Sequence, residues 1–251
     1  MSVFCSFVLG VVQGLTEFLP VSSSGHLILV QKLFGLSPDL FLNVSLHFGT
    51  LVAVLLFYKK QVWQLLTHPF CKKAKLVYLA TIPTVAIGLL AKLFLPSLLD
   101  GLLLPVGFAL TFGLLCTSQF ATKQKHNLLT TKYKTALLCG VVQGIAVLPG
   151  LSRSGATICL LKWCGTKNDS ATELSFLMSI PVILGSIVLT LPDVLSTNAT
   201  VDIPAVAVGV VTSFVFGFLS LGLLKKISQK GEFARFAPYM VLPFLLSCVT
   251  M

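Results

Sequence analysis

Residues 9–28 (LGVVQGLTEFLPVSSSGHLI) and 139–158 (CGVVQGIAVLPGLSRSGATI) are copies of one another at a constant offset of 130 residues, identical at nine of twenty positions. A repeat at so wide a spacing means that both halves of the chain carry one structural unit, and any fold must accommodate it twice. Each copy is apolar at its ends and interrupted in the middle by Pro, Gly and a cluster of Ser. Neither half of a copy is long enough to cross a bilayer, so each copy reads as a re-entrant helix, loop, helix hairpin. Irregular backbone of that kind is tolerated only where protein or a polar cavity satisfies it.

Six further apolar runs, at 41–58, 76–95, 102–120, 174–191, 203–224 and 236–251, have the length of membrane-crossing helices. With 55% hydrophobic and 10% charged residues and a mean hydropathy of +0.95, the chain has the composition of an integral membrane protein. The first Lys is Lys32, so no basic leader precedes the first apolar stretch and the N-terminus is expected to belong to the fold. A net charge of +10 suggests nucleic acid in a soluble protein, but placement argues against it here. Fourteen of the 18 Lys and Arg fall in the connections after the first, third and fifth runs and after the second hairpin, Lys123, Lys125 and Arg235 among them. The connections around Asp39, Asp100, Asp193 and Asp202 carry none. Threading six spans puts all fourteen on one face, which is cytoplasmic by the positive-inside rule, and no nucleic-acid partner is expected. Contact with anionic lipid headgroups is a secondary expectation.

Three spans separate the hairpins, so one copy is inverted relative to the other and the two broken tips meet near mid-membrane. The expected fold is all-α: a polytopic membrane protein with six transmembrane helices and two re-entrant hairpins in an inverted-topology repeat. It forms a single domain over 1–251, with one repeat at about 1–120 and the other at about 135–251. The seven cysteines are scattered, odd in number and without a CxxC pair, and read as small core residues. Trp63 and Trp163 read as interface or packing residues.

The non-identical positions of the repeat carry the chemistry. The first copy has Glu17, Ser23 and His26 where the second has Val147, Arg153 and Ala156. An acid at the centre of an apolar helix costs about 2.5–3.5 kcal/mol on insertion, so Glu17 needs a partner or a purpose. Pairing with Arg153 merely to pin the hairpins is one reading. The neighbouring hydroxyls, glycines and His favour a site. Gln13 and Glu17, four apart, share a helix face whose oxygens suit a hard divalent cation, Mg²⁺ or Ca²⁺. Ser22, Ser23, Ser24 and Gly25 follow Pro20 and present hydroxyls and N–H groups at a helix start, a place for an anion. Ser152, Ser154, Gly155 and Thr157 repeat that arrangement around Arg153, whose planar fork matches phosphate oxygens. His26 beside these groups reads as acid, base or nucleophile. His47 reads as a packing residue, and His68 and His126 as solvated.

QGLTEFLPVSSSGH (13–26) and PGLSRSG (149–155) resemble the two motifs of the undecaprenyl-diphosphatase, or bacitracin-resistance, family, and the resemblance runs through the whole chain. It implies hydrolysis of undecaprenyl diphosphate to undecaprenyl phosphate and inorganic phosphate, recycling the carrier for peptidoglycan synthesis in a bacterial inner membrane. It also implies a divalent-metal requirement and a site open to the outer face. By position, the family's metal-binding pair falls on Gln13 and Glu17, its motif serines on Ser22 and Ser23, its histidine on His26 and its arginine on Arg153. Position 13 is Gln where many members have a second Glu, and Ser24 stands where Thr is common.

The expected partners are a polyprenyl diphosphate lipid, membrane lipids and a second copy in a homodimer. Ser23, His26 or water is the attacking group. The rival reading is a lipid-phosphate transporter using the same pocket, since broken inverted repeats are common in carriers. An acid facing a guanidinium favours bond cleavage, and a membrane scaffold explains none of the polar cluster.

Overall fold

The computed structural model describes residues 2–36, 39–121, 126–196 and 202–250. Lys123, Lys125 and Met251 lie outside the described residues. The described chain is helical throughout, with one isolated bridge between His126 and Thr166. The first half comprises α1 (Val3–Phe18), α2 (Ser23–Leu33), α3 (Leu40–Phe57), α4 (Lys59–Thr67), α5 (Lys72–Phe94), α6 (Pro96–Leu99) and α7 (Leu104–Thr117). The second comprises α8 (Tyr133–Ile145), α9 (Arg153–Trp163), α10 (Asn168–Ser196), α11 (Ile203–Lys230) and α12 (Ala237–Thr250).

Four stretches are long and apolar enough to cross a membrane: α5, α10 over Asn168–Pro192, α11, and Phe233–Thr250 containing α12. Exposed apolar side chains such as Ile82, Leu93, Val211 and Leu219 fit a lipid-facing surface, since water-facing proteins rarely expose so much. The chain is thus an all-helical membrane protein. Of the six expected spans, 41–58 is α3, which bends by 84° into α4. The run at 102–120 becomes a helix of only 14 residues, with Pro105 in its first turn and a tight turn over Ser118–Phe120 at its end. At 1.5 Å per residue the α-helical part rises about 21 Å, and the 3₁₀ turn at about 2 Å per residue brings the whole segment close to a bilayer core of about 30 Å.

Both repeat copies form broken helix pairs. α1 ends at Phe18 and α2 starts at Ser23, while α8 ends at Ile145 and α9 starts at Arg153. The same device starts both second helices: Ser22 Oγ accepts the Gly25 N–H at 3.4 Å, and Ser152 Oγ the Gly155 N–H at 3.1 Å.

The halves exchange partners. α1 packs on α11 of the other half, and α8 packs on α5 of the first. Small residues allow the close approach. A Cβ on Gly14 would lie 2.7 Å from the Gly217 nitrogen and the Ser213 oxygen, and one on Gly144 would meet the Ile87 side chain at 2.8 Å. The main apolar core is likewise shared, with Phe18, Leu104 and Phe108 packed among Ile158, Phe176, Leu177 and Met240.

Candidate active site

The two broken tips touch. The Gly150 N–H donates to Ser22 Oγ at 3.1 Å, and Ser154 Oγ donates to the Leu19 carbonyl at 3.1 Å. A Cβ on Gly25 would sit 2.7 Å from the Gly150 nitrogen, so the backbones meet with no room for a side chain. From α7, Thr111 braces the second tip by donating to the Gly150 carbonyl at 2.8 Å and accepting the Ser152 N–H at 2.9 Å. Ser22 itself has φ of +73°, a left-handed conformation that costs a residue with a Cβ about 1–3 kcal/mol and persists where neighbours over-determine it.

Glu17, 6% exposed, is the hub of the contact. Its Oε1 pairs with Arg153 Nη2 from the opposite repeat. Its Oε2 accepts Ser23 Oγ at 2.6 Å and Gln13 Nε2 at 3.0 Å, with His47 Nε2 at 3.9 Å. A buried carboxylate loses its hydration, and these donors replace it. Gln13 is held in place by a second bond to Thr50 Oγ1 at 3.4 Å.

Beside Glu17 lies a cavity of about 180 Å³, lined by Ser22, Ser23, Ser24, Ser152 and Arg153 and by His47 and Gln143. That is below the roughly 300 Å³ at which drug-sized ligand pockets begin, so it can take an anionic headgroup but not a lipid. An apolar groove of about 540 Å³ between α5 and α10 adjoins it, with Val147, Val182 and Ser186 lining both.

Of the residues expected at the site, Gln13, Glu17, Ser23 and Arg153 come together, and Ser22, Ser24 and Ser152 share their cavity. Gly25 and Gly155 build the tip contact and the α9 cap. Ser154 and Thr157 turn into the protein, Thr157 against Ser175 Oγ at 2.7 Å. His26 does not line the cavity. It is 6% exposed, with Nδ1 on the Ser22 carbonyl at 2.6 Å and Nε2 at the Tyr239 hydroxyl at 3.0 Å.

His47, expected only to pack, lines the cavity instead, its Nδ1 on the Asn43 carbonyl at 2.8 Å. The available signal was an ionisable residue inside an apolar run, which is a functional candidate by default.

A divalent cation needs hard oxygen donors. Gln13 Oε1 is buried with no hydrogen-bond partner, and it lies on the same residue that binds Glu17. Among the described residues no three His, Cys, Asp or Glu side chains gather, so this donor set fits Mg²⁺ or Ca²⁺ only with water and phosphate oxygens completing the shell.

The family model described as bacitracin resistance protein BacA matches residues 6–245. The undecaprenyl-diphosphatase of Carboxydothermus hydrogenoformans is 37% identical over 245 residues, covering 96% of this chain and 94% of its own. That of Desulfosudis oleivorans is 39% identical over 269 residues, covering 97% and 96%. That of Halothermothrix orenii is 39% identical over 248 residues, covering 95% and 94%. With a carboxylate, a serine and an arginine assembled from two repeat copies, and matches of this extent along the chain, the protein belongs to the BacA bacitracin-resistance family.

Proposed function

We propose that this protein hydrolyses undecaprenyl diphosphate to undecaprenyl phosphate and inorganic phosphate, the activity for which its relatives are named. The observation that carries the reading is Glu17, which binds Ser23 of its own repeat and Arg153 of the other beside a cavity sized for a headgroup. The prenyl tail lies in the adjoining groove lined by Val85, Leu89, Val182 and Leu184, where burial of apolar chain is favourable.

Ser23 is the group placed to attack. As Oγ bonds to the terminal phosphorus, its proton passes to Glu17 at 2.6 Å, and the P–O bond to the departing lipid phosphate breaks. Water then attacks phosphorus, Glu17 returns the proton to Ser23 Oγ as the phosphoserine bond breaks, and inorganic phosphate leaves. Arg153 offers further N–H groups to the phosphate oxygens, and the Ser22, Ser24 and Ser152 hydroxyls line the same space. Gln13 and Glu17 would hold the divalent cation, which neutralises diphosphate charge when bound. His26 holds the first tip from outside the cavity.

In this reading the six spans and two re-entrant hairpins are inverted about the tip contact. The protein sits in a bacterial inner membrane with its basic connections cytoplasmic and its site reached from the outer face. Supporting it are the reciprocal packing of α1 on α11 and α8 on α5, and the placement of fourteen of 18 basic residues on one side of the threading.

The test is phosphate release from a long-chain isoprenyl diphosphate by purified protein, with and without chelator. Glu17→Gln and Arg153→Ala are each expected to lose at least about 100-fold in kcat, and chelation to abolish turnover until Mg²⁺ or Ca²⁺ is restored. Wild-type rates in both variants would overturn the site assignment. Movement of lipid phosphate across vesicles with no release would replace hydrolysis by transport.

A further inference from the structure

We infer that Tyr239, near the start of α12, is a positioning residue for Ser23, acting through His26; this rests on the phosphatase reading. The Ser22 carbonyl can only accept, so His26 Nδ1, 2.6 Å away, must carry the ring hydrogen. In the neutral ring Nε2 then holds a lone pair, and the Tyr239 hydroxyl at 3.0 Å donates to it. Tyr239 stacks on the imidazole at 5.7 Å with the planes 8° apart, and Phe108 closes the other approach edge-on at 5.3 Å. The Ser22 carbonyl thus sets the tautomer, while Tyr239 and Phe108 set the ring orientation from outside the cavity.

The bond His26 makes with that hydrogen falls on the most strained residue of the site. Ser22 has φ of +73°, and it is the only non-glycine with positive φ among the described residues. Its carbonyl accepts twice from His26, from Nδ1 and from the backbone N–H at 3.3 Å, while its Oγ takes the Gly150 N–H of the opposite tip. Ser23 follows directly, its Oγ on Glu17. A chain of contacts thus runs from Tyr239 on α12, 213 positions from His26 in sequence, to the attacking hydroxyl. Removing the Tyr hydroxyl leaves Nε2 without a donor and frees the ring to turn, which weakens the Nδ1–H bond to Ser22.

Tyr239→Phe keeps the stacked ring and loses only the hydroxyl. In the purified protein it is expected to lower kcat about five- to tenfold with KM within about twofold, the effect of one hydrogen bond acting on geometry. Asn places its amide near the position of His Nδ1, whereas Gln reaches that of Nε2. His26→Asn is therefore expected to keep about tenfold more kcat than His26→Gln at equal thermal midpoint. Nitrogen NMR of the His26 ring is expected to show the Nδ1–H form in both proteins, with the Nε2 signal of Tyr239→Phe moved to that of an imidazole nitrogen accepting no hydrogen bond.

A Tyr239→Phe variant indistinguishable from wild type in both kcat and the Nε2 signal overturns the inference, as do equal rates for the Asn and Gln variants. A wild-type protein that releases no phosphate counts against the phosphatase reading instead, and the Nε2 signal then decides the role of Tyr239.

Discussion

Glu17 and Arg153 oppose each other across the repeat, and each compensates a charge that the apolar surroundings would otherwise reject. Removing one partner of a fully buried pair costs about 3–5 kcal/mol; here the loss is expected to be smaller, because the cavity beside Arg153 admits water. Arg153→Met is therefore expected to lower the thermal midpoint in detergent, and adding Glu17→Gln to restore most of it without restoring activity. Arg153→Lys keeps the charge but loses the planar fork, and kcat is expected to fall about 100-fold in phosphate-release assays. Ser23→Ala is expected to abolish the acid-stable phosphoprotein trapped from wild type after rapid quench. That Glu17 and Arg153 need partners was legible in the sequence, because an acid and a guanidinium inside apolar runs demand an explanation. The place of His26 was not legible. Its partner Tyr239 is remote in sequence, and nothing local says which way an imidazole points.

At the scale of elements, the breaks within the two repeat copies and the long helices were readable from apolar run length, Pro, Gly and capping Ser. The short α7 and the 84° bend after α3 were not, because they depend on how neighbouring helices meet the chain. Helix contacts through small residues make a sharper claim. Gly14→Ala forces a methyl to within 2.7 Å of α11 backbone and is expected to destabilise by about 1–3 kcal/mol. Gly113→Ala and Gly222→Ala meet nothing within 4 Å and are expected to be neutral or stabilising by up to about 1 kcal/mol. Thermal unfolding in one detergent compares all three.

For the whole molecule, exchange of partners between halves has a consequence for assembly. α1 buries Leu9, Gln13 and Gly14, and it packs on α11; α8 buries Cys139, Gly140 and Gln143, and it packs on α5. Each half thus leaves the largest packing face of its first helix to the other half. Chains split between residues 121 and 126 are expected to give a stable, active complex when both pieces are co-expressed. Each piece alone is expected to be degraded, as read by membrane-fraction immunoblot and phosphate release.

The sequence by itself determined that the chain is helical and membrane-embedded, that it repeats, and which residues of the repeat bear charge. These follow from run length, composition and identity at fixed offset, which need no knowledge of contacts. Only the tertiary structure decided that Ser23 and Arg153 share one carboxylate, that His47 enters the cavity, and that His26 faces Tyr239. Those depend on the angle at which two separately encoded hairpins meet, and the packing of helices from opposite halves sets that angle.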